Sequence, residues 1–311
     1  CSDYLETPPS VDYGENEVFA TRADAEKLLT TLYAEGMPYG FCMSSSNTDR
    51  RLLSSSTLAS ACDEGEDVAT WAMGNAAWNA GNHTNTNFPW DEDCRFYLRN
   101  HTMRVANLIL KRIHEVPFDE GDPDFNKRTT GEAYFMRAML LWEGVYRYGG
   151  MPIVRDVIDP TDFSQRPRNS FSDCIDSILI DCDRATQYLP DYYTDNAKLG
   201  RATRIAALAL KARVLLYAAS PLFNTSTPYM SFPGHENLIG YGNYDRERWK
   251  KAADAAKAAI DAALASGHYK IHNTGNPDKD YEDVWTIPDN EEIILGNMKY
   301  RNFKTTSRPL V

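Results

Sequence analysis

Apolar residues return at three-and-four spacing in one segment after another of this chain, separated by polar loops, and that pattern commits it to a stack of amphipathic helices. The run opening at Arg22 places Ala25, Leu28, Leu29, Leu32 and Tyr33 on one face, with Thr21 available as its cap and Gly36 near its end. A second run begins near Glu66, carries Val68, Trp71 and Ala72, and fails at Gly81. Further helices are predicted over 91–114, 129–148, 171–188, 203–219 and 245–265. Their stops are Pro117, Gly149-Gly150 with Pro152, Pro190, Pro221 and Gly267, residues that lack an amide donor or tolerate the turn out of a helix. Residues 41–61 and 79–89 are rich in Ser, Asn and Thr and read as loops, the first with room for one strand. The convincing strand is 292–295, Glu292-Ile293-Ile294-Leu295.

Helices at about forty-residue intervals that each bury one stripe need neighbours to cover it. The expected fold class is therefore mostly α: tetratricopeptide-like stacked helix pairs forming an α-α superhelix, with long irregular loops and few short strands. The strict tetratricopeptide period of roughly thirty-four residues is not kept. We divide the chain into an arm over 1–20 and a helical domain over 21–311.

Charge and special residues narrow the function classes. A net charge of -11 and a pI near 5.1 leave no basic field for nucleic acid. The acidic runs Asp63-Glu64-x-Glu66-Asp67 and Asp91-Glu92-Asp93 read as solvated helix starts favoured by the helix dipole, in preference to a hard-cation site. No C-x-x-C pair is present, so sulfur-bound zinc is not expected. Cys174 and Cys182, eight apart on one helix, stand about 12 Å apart, too far for a disulfide, and read as buried thiols. Cys42, Cys62 and Cys94 leave one bridge open without saying which. His268 and His272 read as part of a short extended segment leaving a helix, not as metal ligands. Neither a G-x-S-x-G, an H-E-x-x-H, a phosphate loop nor a G-x-G-x-x-G occurs, so no cofactor or metal is expected and nucleophilic, zinc and nucleotide chemistry have no foothold.

The chain is rich in rings, with six Trp, eighteen Tyr and twelve Phe, and many stand among Asn, Gly and Ser instead of in apolar runs. A sugar presents an apolar C–H face and a rim of hydroxyls, which a flat ring beside amides and carboxylates satisfies. Trp71, Trp78, Asn79, Asn82, Asn85, Phe88 and Trp90 supply those parts within twenty residues, on a predicted loop where a site leaves the core undisturbed. Asp63 and Glu64 lie just upstream as hydrogen-bond acceptors. Tyr229, Phe232, Tyr241 and Tyr244 form a second aromatic, glycine-containing loop. The candidate ligand-binding residues are Asp63, Trp71, Trp78, Asn79, Asn82, Trp90 and Tyr241. Against each stands a plain alternative: a core ring for Trp71, a solvated acidic turn for Asp63, ordinary loop packing for Tyr241. Asp63 with Asp91 or Glu92 would serve a glycosidase only at a separation of roughly 5 to 9.5 Å.

Several segments together resemble the SusD/RagB-like family of Bacteroidetes outer-membrane nutrient-binding lipoproteins. The start Cys1-Ser2-Asp3-Tyr4-Leu5-Glu6-Thr7-Pro8-Pro9 is similar to that family's lipidated cysteine and acidic, proline-containing arm. Phe19-Ala20-Thr21-Arg22-Ala23-Asp24-Ala25 resembles its first helix entry, and Arg104-x-x-Asn107 the close of its early long helix. Gly131-Glu132-Ala133-Tyr134-Phe135-Met136-Arg137-Ala138, continuing to Tyr146-Arg147-Tyr148-Gly149-Gly150-Met151-Pro152-Ile153-Val154, resembles its most recognisable stretch. Gly200-Arg201-Ala202-Thr203-Arg204-Ile205-Ala206-Ala207 and the Trp249-Lys250-Lys251-Ala252-Ala253-Asp254 segment follow in the expected order. Any one of these would be weak; together and in order they are specific.

The resemblance implies a non-catalytic protein on the extracellular face of the outer membrane, anchored by lipid on Cys1. Such a protein captures an oligosaccharide and delivers it to a SusC-like TonB-dependent transporter. An oligopeptide ligand and a purely structural helical scaffold are the alternatives. The family's members carry a loop-rich carboxy-terminal half, which this chain, ending at Val311, is expected to lack.

Overall fold

A computed structural model of the protein describes residues 14–37, 63, 80–82, 84, 90–159, 161–162 and 164–296, with the backbone alone over 90–98. Its elements are α1 (Glu15–Val18), α2 (Arg22–Gly36), α3 (Trp90–Arg112), α4 (Phe125–Tyr148), α5 (Phe171–Tyr188), α6 (Arg204–Ala219), α7 (Glu247–Ala265) and α8 (Pro277–Thr286). Short 3-10 turns stand at Ile113–Glu115, Asn196–Lys198 and Glu236–Leu238. The mostly helical, tetratricopeptide-like reading of the sequence holds.

The helix starts are set by their caps. The Thr21 hydroxyl accepts the Asp24 amide at 3.2 Å, Ser170 that of Asp173 at 3.0 Å, and Thr203 that of Ala206 at 3.0 Å, each satisfying an amide with no partner inside its helix. Consecutive helices from α2 to α7 pack on one another, and α2 also touches α4. The neighbours run antiparallel. A Cβ on Gly131, near the start of α4, would meet Leu189 just past the end of α5, whereas Gly150, just past the end of α4, lies against Asn169 before α5 begins.

The core gathers Leu29 and Leu32 of α2, Ile109 of α3, Phe135, Met136 and Leu140 of α4, Ile175 and Ile178 of α5 and Ile205 of α6, all essentially sealed from solvent. Helix α4 runs through its middle and buries residues all round. It begins at Phe125, four residues before the expected start, because Phe125 is itself buried and the Arg128 guanidinium holds Asp122 through bonds of 2.9 and 2.7 Å. It ends at Gly149-Gly150 for a steric reason. Gly149 has φ of +76°, and a Cβ there would lie 2.1 Å from the Leu238 carbonyl oxygen; one on Gly150 would lie 2.0 Å from that of Asn169.

The strap that follows, over 151–159, is fastened by a buried polar cluster. Arg137 donates two bonds of 2.8 Å to the Asp181 carboxylate and one of 2.9 Å to the Asn107 side-chain oxygen. Asn107 in turn donates to the carbonyls of Val154 and Asp156, and Arg155 of the strap reaches back to Asp181 and Ser177. Buried charges persist where every donor and acceptor has a partner, and this cluster meets that condition with residues from α3, α4 and α5. Cys174 and Cys182 are free and buried, as expected; burial raises both thiols above their ordinary pKa, and the Cys174 sulfur accepts the Met151 amide at 3.2 Å.

One expectation fails, and one helix had no counterpart in the sequence reading. The predicted strand 292–295 does not form: residues 291–292 are turn and 294–295 bend. The Ile293 amide closes a local turn on Asn290 at 2.9 Å, and the Lys270 amide donating to the Glu291 carbonyl at 3.1 Å is the single backbone-to-backbone bond between 268–272 and 291–295 among the described residues, too little for a ladder. Helix α8 was not anticipated, although Asn276 caps it and Pro277 occupies its first turn. The second helical run, starting near Glu66, lies outside the described residues.

Candidate functional site

Loop composition decides which rings stay in contact with water. Past Pro190 the chain cannot continue α5, and the polar stretch 191–203 turns through Asn196–Lys198, capped by Asp195, and then Gly200 at φ of +81°. This stretch carries two tyrosines with opposite fates. Tyr193 turns inward, donates its hydroxyl to the Ala202 carbonyl at 3.1 Å, and burial raises its pKa far above the ordinary value. Tyr192 turns outward, remains 38% exposed, and lies flat on His268 with ring centres 4.7 Å apart and planes 3° from parallel.

That stack stands at a cleft between the 192–203 loop, the segment leaving α7 at His268 and Tyr269, and a wall formed by 288–289 and 293–296. Tyr269 at its base is buried and hydrogen-bonded to Thr203, and burial lifts its pKa. The cations of the cleft are paired: Lys198 lies 3.6 Å from Asp122 and 3.7 Å from Asp195, and Arg201 lies 3.2 Å from Glu132 and 3.6 Å from Glu26. The cleft thus offers an exposed ring face beside hydrogen-bonding groups, the combination a polar ring-shaped ligand requires. Among the described residues no group of three His, Cys, Asp or Glu side chains is placed to hold a metal ion, and no helix is long and apolar enough to cross a membrane.

The sequence candidates fall in different places. Asp63 is exposed in a turn, and Asn82 is exposed just after Gly81, whose φ is +68°. Trp71, Trp78 and Asn79 lie outside the described residues, as does Cys1; Trp90 opens α3, but its side chain lies outside them too. Tyr241 is half-buried. Its ring meets Phe171 edge-on at 5.3 Å, the Arg248 guanidinium sits 3.7 Å over one face, and burial pushes its hydroxyl up to about 12. Its loop neighbours Tyr229 and Tyr244 are well exposed, the first at 89%. Sequence reasoning passed over Tyr192 and weighed His268 only as a metal ligand, not as a partner for a ring. The cue was available in Asp191-Tyr192-Tyr193-Thr194, rings in a polar loop after a proline, but which tyrosine faces outward is settled by the turn.

A family profile described as "Starch-binding associating with outer membrane", the SusD-like profile, matches residues 3–216, more than half of the chain. Among solved structures the chain is similar to a SusD-like protein from Bacteroides fragilis, with 24% identity and a TM-score of 0.63, over 90% of this chain and 45% of that one. A laminarin-binding SusD-like protein matches at 19% identity and a TM-score of 0.63, over 89% of this chain and 51% of that one. A SusD-like carbohydrate-binding protein from Bacteroides vulgatus matches at 17% identity and a TM-score of 0.59, with the same shares. At these identities the likeness establishes the fold. The chain spans about half the length of these structures. Curated protein sequences give no significant match.

Proposed function

Because the chain belongs to the SusD-like family, we propose that it captures an oligosaccharide at the extracellular face of the outer membrane and delivers it to a SusC-like TonB-dependent transporter. The observation that carries the reading is Tyr192, an exposed ring held flat on His268 at the mouth of a polar cleft. A ring fixed in this way loses little freedom when a sugar stacks on it, so more of the contact energy appears as affinity. Trp71, Trp78, Asn79, Asn82 and Trp90, with Asp63, form the second part of the proposed binding face, on the loop where sequence places rings beside amides. Lipid on Cys1 is the proposed anchor. Buried methylenes at about 0.8 kcal/mol each hold a folded domain on a bilayer when more than one chain is attached. The reading is one of capture without turnover.

Isothermal titration calorimetry with starch-derived and laminarin-derived oligosaccharides, and with short peptides, tests it. The expected outcome is saturable heat with a glycan, weakened about two- to tenfold in Tyr192→Ala, Trp78→Ala or Trp90→Ala, since a ring contact is worth about 0.5 to 1.5 kcal/mol. Heat with peptides alone would transfer the assignment to an oligopeptide ligand, and release of reducing sugar would overturn the non-catalytic reading. Glycan binding that survives Tyr192→Ala but not the tryptophan changes would take the cleft out of the site.

A further inference from the structure

The wall of the cleft is tied down by a histidine set between two acids. The His272 side chain is largely shielded, and its two ring nitrogens each face a carboxylate: Nε2 lies 3.1 Å from Asp283 Oδ2 on α8, and Nδ1 lies 3.3 Å from Glu291 Oε1 on the wall segment. A neutral imidazole carries one N–H. It can donate to one of these acids, while its other nitrogen turns a lone pair toward the oxygen of the second; the imidazolium donates to both. The arrangement is therefore satisfied in the protonated state.

The surroundings add charge of both signs. From α8, Lys279 reaches Asp283 at 2.7 Å, and Asp280 contributes a further negative charge near the ring while accepting from Thr274. From the wall, Glu291 also takes Lys270 at 3.2 Å, and Glu292 accepts the His272 backbone amide at 3.3 Å. Asp283 and Glu291 raise the imidazole above its ordinary value, and His272 contributes to holding both of them below theirs.

We propose that His272 is a proton-operated clasp that, when its ring carries both protons, binds the 287–296 wall of the cleft to α8. On release, the wall keeps the Lys270 contacts to Glu291 and its local turns, and it loosens relative to His268 and Tyr192. The sign follows from linkage. A histidine raised in the folded protein contributes its full stabilisation below the ordinary value of 6.5, and the contribution is lost as pH rises through the folded value. Any effect on ligand capture rests on the glycan reading above, whereas the clasp itself is read without ligand.

Residue-resolved NMR on the full chain tests it, following the His272 ring resonances and the amide protection factors of 287–296, corrected for intrinsic exchange, across pH 5.5 to 8.5. The expected result is a His272 midpoint above 6.5, with wall protection falling through the same midpoint. In His272→Gln that pH-dependent part of the protection is lost, and in Glu291→Gln the midpoint moves down. A midpoint at or below 6.5, wall protection in His272→Gln that still follows the wild-type curve, or an unmoved midpoint in Glu291→Gln would overturn the clasp. None of these outcomes involves a sugar, so failure of the clasp leaves glycan capture standing, and the reverse holds as well.

Discussion

Glu132 sits on α4 with no solvent contact, between Arg201 at 3.2 Å, Arg128 at 3.4 Å and the Tyr33 hydroxyl. Burial holds its carboxyl above the ordinary glutamate value, opposed by those three partners. A carboxyl raised in this way favours the folded state in its protonated form. Its contribution is greatest below the ordinary value of 4.5 and diminishes as pH rises through the folded one. Asp122 has the opposite sign, because the Arg128 guanidinium holds it below the ordinary aspartate value, and its contribution is lost as pH falls through that lowered value. Replacing Glu132 with Gln keeps the shape and removes the titration. Urea unfolding of wild type and Glu132→Gln between pH 7 and 4.5 should show the difference moving in favour of the wild type as pH falls; parallel curves would contradict the assigned direction. Glu132 and Arg201, the central pair of this cluster, lie in the Gly131 to Ala138 and Gly200 to Ala207 segments, so what the sequence displays there as a family-like pattern includes, physically, a buried charge pair.

At the scale of the element, the caps account for where helices begin and the close approaches for where they end. Thr203 has two tasks, accepting the Ala206 amide for α6 and bonding the Tyr269 hydroxyl beneath the cleft. Thr203→Ala should therefore cost about 1 kcal/mol for the cap and a comparable amount for the orphaned hydroxyl, while Thr203→Ser stays within about 0.5 kcal/mol of wild type. The two variants are compared by urea midpoints at pH 7, and equal midpoints would remove Thr203 from both roles. The same local signals, Asn276 and then Pro277, mark α8, which a reading weighted toward long apolar stripes overlooks because α8 buries little. The failed strand at 292–295 shows the converse. Ile293, Ile294 and Leu295 have the residue types of a strand, but a strand is a pairing, and the one neighbouring segment supplies a single backbone bond.

Across the molecule, burial is uneven. The continuous core runs from Phe19 through α2 to α6 and reaches Phe223, whereas Ala252 is the buried residue of α7 and Asp283 that of α8. Trp249, Ile260 and Leu264 of α7 remain open. Hydrogen exchange should therefore be slowest in α4 and α5 and quicken through α7 to α8, because local opening costs least where few apolar contacts are broken. Exchange in α7 as slow as in α4 would show a cooperativity that the packing does not account for.

The helices from α2 to α7 in the described part were legible along the chain, since periodicity, caps and breakers act within a turn or two of their own residues. The family-like segments were legible for the same reason, as short runs with fixed spacing. Tyr192, His268 and the His272 clasp were not. Each is made by residues far apart in sequence, 192 with 268 and 272 with 283 and 291, and no rule of local spacing tells which loop ring faces water or which acid meets which imidazole. Tyr241 makes the same point in reverse. Its place in a glycine-rich aromatic loop suggests an open ring, and the packing of Phe171 and Arg248 against it decides how much of that ring is left for a ligand.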